Sequence, residues 1–289
     1  MNQKNAKYLI VLPMFFLLAF FLSLVFSGQI ILPQSFKLGP LTIHYYGLTM
    51  AMAVGAGFYL AIKRSERFGL SNSQAEDLLF WLIIFGFVGA RLYHVFSSFG
   101  YYYSHPLDMF KVWNGGLSIY GALLGGLVVL WVYKKLLATH YSLLALLDWL
   151  TPSIIVGQII GRFGNLFNYE AFGYPTNLPW KMFVPLNFRP TGLEAYQFFH
   201  PFFLYEAIGS LAIFCVIKYM VEPKVGRPAG RLFITYVLLY NSVRFSLEFL
   251  RIDSTFLGPL RLNAIASFVL AAVAAAALVL INRGTQAQK

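Results

Sequence analysis

Long apolar runs separated by short polar segments dominate the hydrophobic pattern of this 289-residue chain. A helix needs roughly 20 apolar residues to cross the hydrocarbon core of a bilayer, and several runs approach that length. The pattern therefore predicts an all-α polytopic membrane protein with about eight transmembrane helices. The predicted spans cover residues 8–26, 47–62, 78–96, 115–134, 143–160, 201–220, 232–250 and 262–281.

The first run and one long polar segment set the predicted domain organisation. Residues 1–30 form an N-terminal helix behind Lys4 and Lys7, a pattern typical of either a signal peptide or a signal anchor. The run is long for a signal peptide and no clear small-x-small cleavage site follows it, which favours an uncleaved anchor. Residues 31–289 form the membrane-embedded domain, in which the polar segment 165–200 is expected to be a small cap outside the membrane. Ser73 and Glu76 predict a capping box at the start of the third span.

The charge distribution predicts the orientation of the spans. The chain is 58% hydrophobic and only 11% charged, whereas soluble domains carry roughly 25% charged residues. With the N-terminus in the cytoplasm, the inner segments hold 13 lysines and arginines and the outer segments hold six. Because positive charge collects on the cytoplasmic side, both termini are expected there. The net charge of +11 is therefore explained by topology and anionic lipid rather than by nucleic acid.

Three arginines lie within or at the ends of predicted spans. Arg91, Arg162 and Arg244 belong to spans three, five and seven, and each falls in the outer half of the bilayer. Charges beside lipid are costly unless they serve one another or a ligand. Independent snorkelling arginines are the alternative, but Arg91 and Arg244 have several apolar residues on both sides, whereas snorkelling favours helix ends. Because guanidinium binds phosphate bidentately, the three arginines predict a site for an anionic lipid headgroup.

Further polar side chains are expected on the same side of the membrane. Tyr240, Arg244 and Glu248 are spaced four residues apart and project from one face of span seven, with Arg251 just beyond them. An Arg244–Glu248 pair that only neutralises itself is an alternative, but it leaves Tyr240 unexplained. The remaining candidates for the mouth of this site are Asn165, Asn168, Glu170 and Glu206.

Other chemistries find little support in the sequence. The histidines share no metal-ligand spacing, and neither a P-loop nor a G-x-S-x-G nucleophile motif is present. Cys215 is the single cysteine, which excludes an intramolecular disulfide. Its position in an apolar run predicts a buried small apolar residue rather than a redox group.

Six motifs, in order along the chain, carry a resemblance to a known family. The sequence resembles the prolipoprotein diacylglyceryl transferases over roughly residues 38–270. The motifs are Ile43-His44-Tyr45-Tyr46-Gly47-Leu48, Gly89-Ala90-Arg91, Gly115-Gly116-Leu117-Ser118-Ile119-Tyr120-Gly121, the G-R-x-G-N-x-x-N-x-E-x-x-G signature of residues 161–173, His200-Pro201 with Leu204-Tyr205-Glu206, and Tyr240, Arg244, Glu248 and Arg251 in series.

The resemblance implies an activity and a location. The diacylglyceryl group of phosphatidylglycerol would be transferred to the lipobox cysteine thiol of a prolipoprotein, forming a thioether and releasing glycerol phosphate. This is the first step of bacterial lipoprotein maturation. The enzyme would lie in the bacterial cytoplasmic (inner) membrane with its site toward the outer leaflet, and the reaction would need no cofactor.

The resemblance also implies roles for individual residues. The two essential arginines of the family fall on Arg162 and Arg244. Its other functional positions fall on Tyr46, Tyr120, Asn165, Glu170, Gly173, Tyr240 and Glu248. Together with the residues chosen above, this predicts a catalytic set of Arg162, Arg244, Tyr120 and Glu248. The predicted lipid-binding set is Arg162, Arg244, Tyr46, Arg91, Asn165, Asn168, Glu170, Gly173, Glu206 and Tyr240.

The sequence departs from the family in two places. Many members have His where this chain has Tyr120, although others have Tyr. Because a phenol has a pKa of about 10, Tyr120 either accepts the thiol proton after a shift or instead orients the phosphate or glycerol. The family core has seven spans, so the run 8–26 is additional.

Two other functions are weighed against the transferase. A lipid binder or flippase could use the same arginines, but it would release no glycerol phosphate. An acyltransferase or lipid phosphatase lacks its expected nucleophile or metal ligands.

Overall fold

A computed structural model describes residues 3–136, 142–222 and 229–287. Within these ranges the chain forms nine α-helices and six short strands. The helices are α1 (Gln3–Phe26), α2 (Tyr45–Ile62), α3 (Asn72–Ser97), α4 (Phe99–Ser104), α5 (Ile119–Leu136), α6 (Leu143–Asn168), α7 (Phe202–Cys215), α8 (Arg231–Glu248) and α9 (Leu262–Ala287). The strands pair as three antiparallel hairpins, β1 (Ser35–Leu38) with β2 (Leu41–His44), β3 (Met182–Phe183) with β4 (Phe198–Phe199), and β5 (Phe256–Leu257) with β6 (Leu260–Arg261). The predicted cytoplasmic termini, residues 1–2 and 288–289, lie outside the described residues.

Each of the eight predicted apolar segments contains a helix, although the fourth becomes helical only at Ile119 and the seventh ends its helix at Glu248. By length and composition, five of the described helical segments can cross a membrane: Tyr45–Ile62, Asn72–Ser97, Leu143–Asn168, Phe202–Val221 and Leu262–Arg283. The last part of the fourth, Val216–Val221, is π-helical. The chain is therefore a helical polytopic membrane protein, and the count of eight spans stays a prediction.

The described chain divides into two compact units. The first comprises residues 1–55, 155–221 and 234–289, and the second comprises residues 56–154 and 222–233. The core of the first unit joins the end of α1 to the segment between α6 and α7. In it, Val25 and Phe26 pack with Met182, Phe199 and Phe203, all of them buried.

The segment between α6 and α7 is non-helical for most of its length. It begins after Asn168, because α6 continues through Arg162 to that residue. The β3–β4 pair closes the segment, and its buried side chains contribute to the core. The hydroxyl of Tyr169 ties its start to the chain after α1, since it accepts from the Leu32 N–H at 2.6 Å and donates to the Leu32 carbonyl at 3.2 Å.

Glycines hold α3 and α5 together in the second unit. A Cβ atom on Gly89 would lie 2.4 Å from the carbonyl oxygen of Gly121, and one on Gly121 would lie 2.1 Å from that of Gly89. A Cβ atom on Gly125 would lie 2.2 Å from the carbonyl oxygen of Phe85. The two backbones therefore approach as closely as small residues allow, which is the usual role of glycine between membrane helices.

Two sequence-based details were wrong. The capping box of α3 is formed by Ser71 and Gln74 rather than by Ser73 and Glu76. The helix begins at Asn72, well before the apolar run that starts at Leu78, and a glutamine completes such a box as well as a glutamate does. Cys215 is exposed rather than buried. A lipid-facing helix is apolar on its outer face as well as its inner one, so hydropathy does not reveal which face a residue occupies.

The glycine contacts give a stability prediction. Gly125→Ala is expected to destabilise the protein by about 1–3 kcal/mol, because the added methyl group meets backbone that cannot move without separating α3 from α5. The measurement is the thermal unfolding midpoint of purified protein in detergent. Gly126→Ala is the matched control, since its Cβ would meet only Leu82 at 3.7 Å. Equal midpoints for the two variants would contradict the close approach.

Candidate active site

One carboxylate in the first unit joins two arginines from different helices. Glu206, on α7, is 5% exposed. Its Oε2 lies 2.8 Å from Nη1 of Arg162 on α6, and its Oε1 lies 3.1 Å from Nη1 of Arg244 on α8. Each oxygen of this carboxylate therefore holds a different guanidinium group. The sequence predicted Arg162, Arg244 and Glu206 for one site, and the structure brings them together.

A second carboxylate extends this network. Glu248 is fully buried, and its Oε2 lies 2.8 Å from Nη2 of Arg244. Its other oxygen, Oε1, accepts a hydrogen bond of 3.2 Å from the side-chain amide of Asn263. The Arg244–Glu248 pair that the sequence offered as an alternative is present, but it belongs to a larger group. We call Arg162, Glu206, Arg244 and Glu248 the Arg–Glu quartet.

The quartet leaves N–H groups available on both arginines. A guanidinium carries five N–H donors. Arg162 uses Nη1 on Glu206, and its side chain is 28% exposed. Arg244 uses Nη1 and Nη2 on the two glutamates and is 13% exposed. In the part of the chain that the structure describes, the remaining donors of Arg162 and the Nε of Arg244 meet no protein acceptor. These groups can bind an anion without breaking the quartet.

A strained turn follows Arg162 at the end of α6. Tyr169 and Ala171 both have positive φ values, 51° and 52°, which are uncommon for residues with a Cβ atom. Glu170 lies between them and is exposed. Its N–H donates to the carbonyl of Asn165 at 3.1 Å, and its Oε1 accepts from the amide of Asn168 at 3.3 Å. The turn thus fixes three residues that the sequence placed at the mouth of the site.

Gly173 allows this turn to approach the end of α8. Its N–H donates to the carbonyl of His200 at 2.9 Å, and it forms an isolated β-bridge with Arg251. A Cβ atom on Gly173 would lie 2.4 Å from the carbonyl oxygen of Leu250. No other residue fits this close backbone contact, which explains the glycine at this position in terms of packing.

Of the two further tyrosines predicted from the sequence, Tyr46 lies near Arg162 and Tyr240 contacts a neighbouring tyrosine on α8. The ring of Tyr46 packs on Gly164, where a Cβ atom would lie 2.9 Å from the ring. Tyr46 interacts electrostatically with Arg162 and Glu170. The ring of Tyr240 contacts that of Tyr236 with a centroid distance of 5.7 Å, and Tyr236 in turn interacts electrostatically with Arg162.

A third arginine lies beside the quartet with a partner of its own. Arg251 contacts Asp253, with 2.7 Å between Nη2 and Oδ2. This hydrogen bond is the main cause that lowers the pKa of Asp253. Arg251 and Arg244 both stack on Phe202, at 5.9 and 5.5 Å from the ring centroid.

Arg91 and Tyr120 belong to the second unit. Arg91 is buried, and its guanidinium donates to five backbone carbonyls, those of Asp108, Met109, Lys111, Gly115 and Gly116. These bonds use all five of its N–H donors. Arg91 therefore holds the segment before α5, and the lipid-binding role predicted for it has no donor to use. Tyr120, at the start of α5, is 62% exposed, and its ring contacts that of Tyr93.

Sequence reasoning missed two residues of this site, Asn263 and Arg261. Arg261 ends the β5–β6 hairpin, where the sequence predicted only a short outer loop, and Asn263 lies in the first turn of the predicted eighth span. Position along the chain gave no signal for either, because each contacts Glu248 only after the chain has reversed direction.

Among the described residues, no group of three or more His, Cys, Asp or Glu side chains could hold a metal ion.

Paired arginines with spare donors, set among apolar helices, define a membrane protein whose site suits an anionic phosphate group. Comparisons with known proteins narrow this class. Residues 33–280 match the family described as Prolipoprotein diacylglyceryl transferase. The chain belongs to this family.

Relatives in several bacteria agree with the family match. The phosphatidylglycerol–prolipoprotein diacylglyceryl transferase of Thermotoga maritima is 40% identical over 259 residues, which cover 89% of this chain and 88% of that protein. The protein of the same name from Trichormus variabilis is 40% identical over 239 residues, covering 81% and 84%. That from Gloeobacter violaceus is 35% identical over 258 residues, covering 89% and 95%. The family recognised from the sequence motifs is thereby confirmed.

The shared carboxylate gives the second prediction. Glu206→Ala leaves two partly buried cations facing each other, so the free energy of unfolding is expected to fall by about 2–3 kcal/mol. Denaturant titration in detergent micelles measures this change. Glu194→Gln is the control, because Glu194 is exposed and, among the described residues, its carboxylate binds only the N–H of Gly192. If both variants unfold at the same denaturant concentration, Glu206 does not hold the quartet together.

Proposed function

We propose that this protein transfers the diacylglyceryl group of phosphatidylglycerol to a cysteine thiol of a prolipoprotein. The observation that carries the proposal is the arginine pair on Glu206, found in a chain of the diacylglyceryl transferase family. The thiolate sulfur attacks the glyceryl carbon that bears the phosphate. A carbon–sulfur bond forms, the carbon–oxygen bond breaks, and glycerol phosphate leaves with the bonding electrons.

Arg162 and Arg244 are proposed to bind the phosphate and to stabilise the charge that develops as it departs. Their spare N–H donors supply this stabilisation where little water is present, which strengthens each charge-assisted hydrogen bond. Glu206 is proposed to act on the lipid through the arginines, since its two oxygens are already occupied. Glu248 is proposed to hold Arg244 in place, because a fully buried carboxylate does not reach substrate.

The other predicted residues complete the proposed site. Asn165, Asn168, Glu170 and Gly173 are proposed to form its mouth, with Tyr46 beside Arg162 and Tyr240 contributing from α8. Tyr120 is proposed to contact the reacting groups, either as acceptor of the thiol proton or in orienting the glycerol. Arg91 is proposed to hold the chain that leads into Tyr120.

We also propose a location and topology. The excess of lysine and arginine in alternate loops supports eight spans in the bacterial cytoplasmic (inner) membrane, with both termini in the cytoplasm. The site would then face the outer leaflet, where the lipobox of a secreted prolipoprotein arrives. The 165–200 segment would form an extracytoplasmic cap. Burial of Val25 and Phe26 in the core of the first unit supports retention of residues 1–30 as an anchor to the 31–289 domain.

Arginine substitutions test the proposed roles. Arg162→Ala and Arg244→Ala are each expected to lower thioether formation at least 100-fold, since each removes the donors aimed at the departing phosphate. The measurement is the mass increase of a lipobox peptide incubated with phosphatidylglycerol vesicles and purified enzyme. Arg67→Ala is the control, because Arg67 is 65% exposed and belongs to none of the predicted site motifs. Normal turnover by either site variant would overturn the assignment.

The released product separates the proposal from a lipid binder or flippase. Wild-type protein with phosphatidylglycerol and peptide is expected to release one glycerol phosphate for each thioether formed. An enzyme-coupled assay for glycerol phosphate measures this ratio. Movement of labelled lipid between leaflets without glycerol phosphate would favour the flippase instead.

A further inference from the structure

The chain reverses direction after α8 and returns to the quartet. Residues 249–255 leave the helix, the β5–β6 hairpin turns back, and α9 begins at Leu262. Two side chains at this return point face the end of α8. Arg261 is the last residue of β6, and Asn263 is the second residue of α9.

Arg261 binds the backbone that follows Glu248. Its Nη1 donates to the carbonyl of Glu248 at 2.9 Å, to that of Arg251 at 3.2 Å and to the hydroxyl of Ser254 at 2.8 Å. Its Nη2 lies 3.4 Å from the hydroxyl of Tyr174, which follows the strained turn. The carbonyls at the end of a helix carry partial negative charge, so a cation here is favourably placed.

Asn263 binds the side chain of the same glutamate. Its amide donates to Oε1 of Glu248 at 3.2 Å, while Arg244 occupies Oε2 at 2.8 Å. Asn263 therefore hydrogen-bonds one oxygen, while Arg244 forms an ion pair at the other, which accepts no hydrogen bond from the described residues. Glu248 is fully buried, so the Asn263 hydrogen bond orients its carboxylate beside the Arg244 guanidinium.

We propose that Arg261 and Asn263 are positioning residues for the transfer reaction, acting through Glu248 on Arg244. Arg261 holds the backbone of Glu248 and Asn263 holds its carboxylate. Arg244 then presents its donors to the phosphate in one orientation. This inference rests on the proposed function and adds two residues to it.

The chemistry of Asn263 provides a discriminating test. Asn263→Asp keeps the shape of the side chain but replaces an N–H donor with a carboxylate facing Glu248, so the Arg244 contact is disturbed by like-charge repulsion. Asn263→Ala removes the donor and adds no charge. The kcat for thioether formation is expected to fall about tenfold in the Ala variant and further in the Asp variant, with KM for phosphatidylglycerol within about twofold of wild type.

A merely structural asparagine would lower the unfolding midpoint of both variants and leave the kcat of the folded enzyme unchanged. Asn263→Asp with kcat equal to or above that of Asn263→Ala would overturn the proposal. Asn241→Ala is the matched control: Asn241 is also buried, but its amide binds only the carbonyl of Val237 on α8. It is expected to lower the unfolding midpoint without changing kcat.

The role of Arg261 is tested by one substitution that keeps its positive charge and one that removes it. Arg261→Lys retains a cation at the helix end but cannot reach all the oxygens that the guanidinium reaches, so kcat is expected to fall about threefold. Arg261→Ala is expected to lower kcat about tenfold, and equal rates for the two variants would contradict the positioning role. If wild-type protein released no glycerol phosphate, the proposed function would fail. If wild-type protein were active and the Arg261 and Asn263 variants were equally active, this inference alone would fail.

Discussion

The site depends on one constraint, that charges removed from water must be paired. Arg162, Arg244 and Glu206 reach a region of low polarity from three different helices, and each would be costly alone. Because Glu206 uses one oxygen for each arginine, it stabilises the structure only where α6, α7 and α8 meet. The backbone around this point is correspondingly well connected. The N–H of Phe203, beside Glu206 on α7, donates to the carbonyl of Ala171 in the turn after α6 at 2.9 Å.

The sequence predicted the helices and the main charges of the site, for reasons that can be stated. Apolar runs of sufficient length have few alternatives to a membrane helix, so each predicted run contains a helix. Residues four apart share a helix face, so the Arg244–Glu248 contact could be foreseen. The sequence placed Arg162 and Glu206 in one site because the predicted topology puts both at the same side of the membrane.

The failures have physical causes as well. The depth of Arg91 in the bilayer was inferred from residue counts, but depth does not say which way the side chain points. Its guanidinium donates hydrogen bonds to five backbone carbonyls. Asn263 and Arg261 were missed because only the reversal of the chain after α8 brings them to Glu248. Cys215 was misplaced because the periodicity that marks a buried face in water is weak when the outer face is also apolar.

The charges of the quartet explain how such a site favours reaction over mere binding. Two arginines and two glutamates sum to zero, so the site is not a strongly positive pocket. Phosphatidylglycerol carries one negative charge on its phosphodiester, whereas the departing phosphate monoester approaches two. In the proposed reaction, the spare donors of Arg162 and Arg244 would therefore gain more from the transition state than from the bound lipid. Stabilisation that grows as the bond breaks raises the turnover rate, while equal binding of lipid and transition state would not.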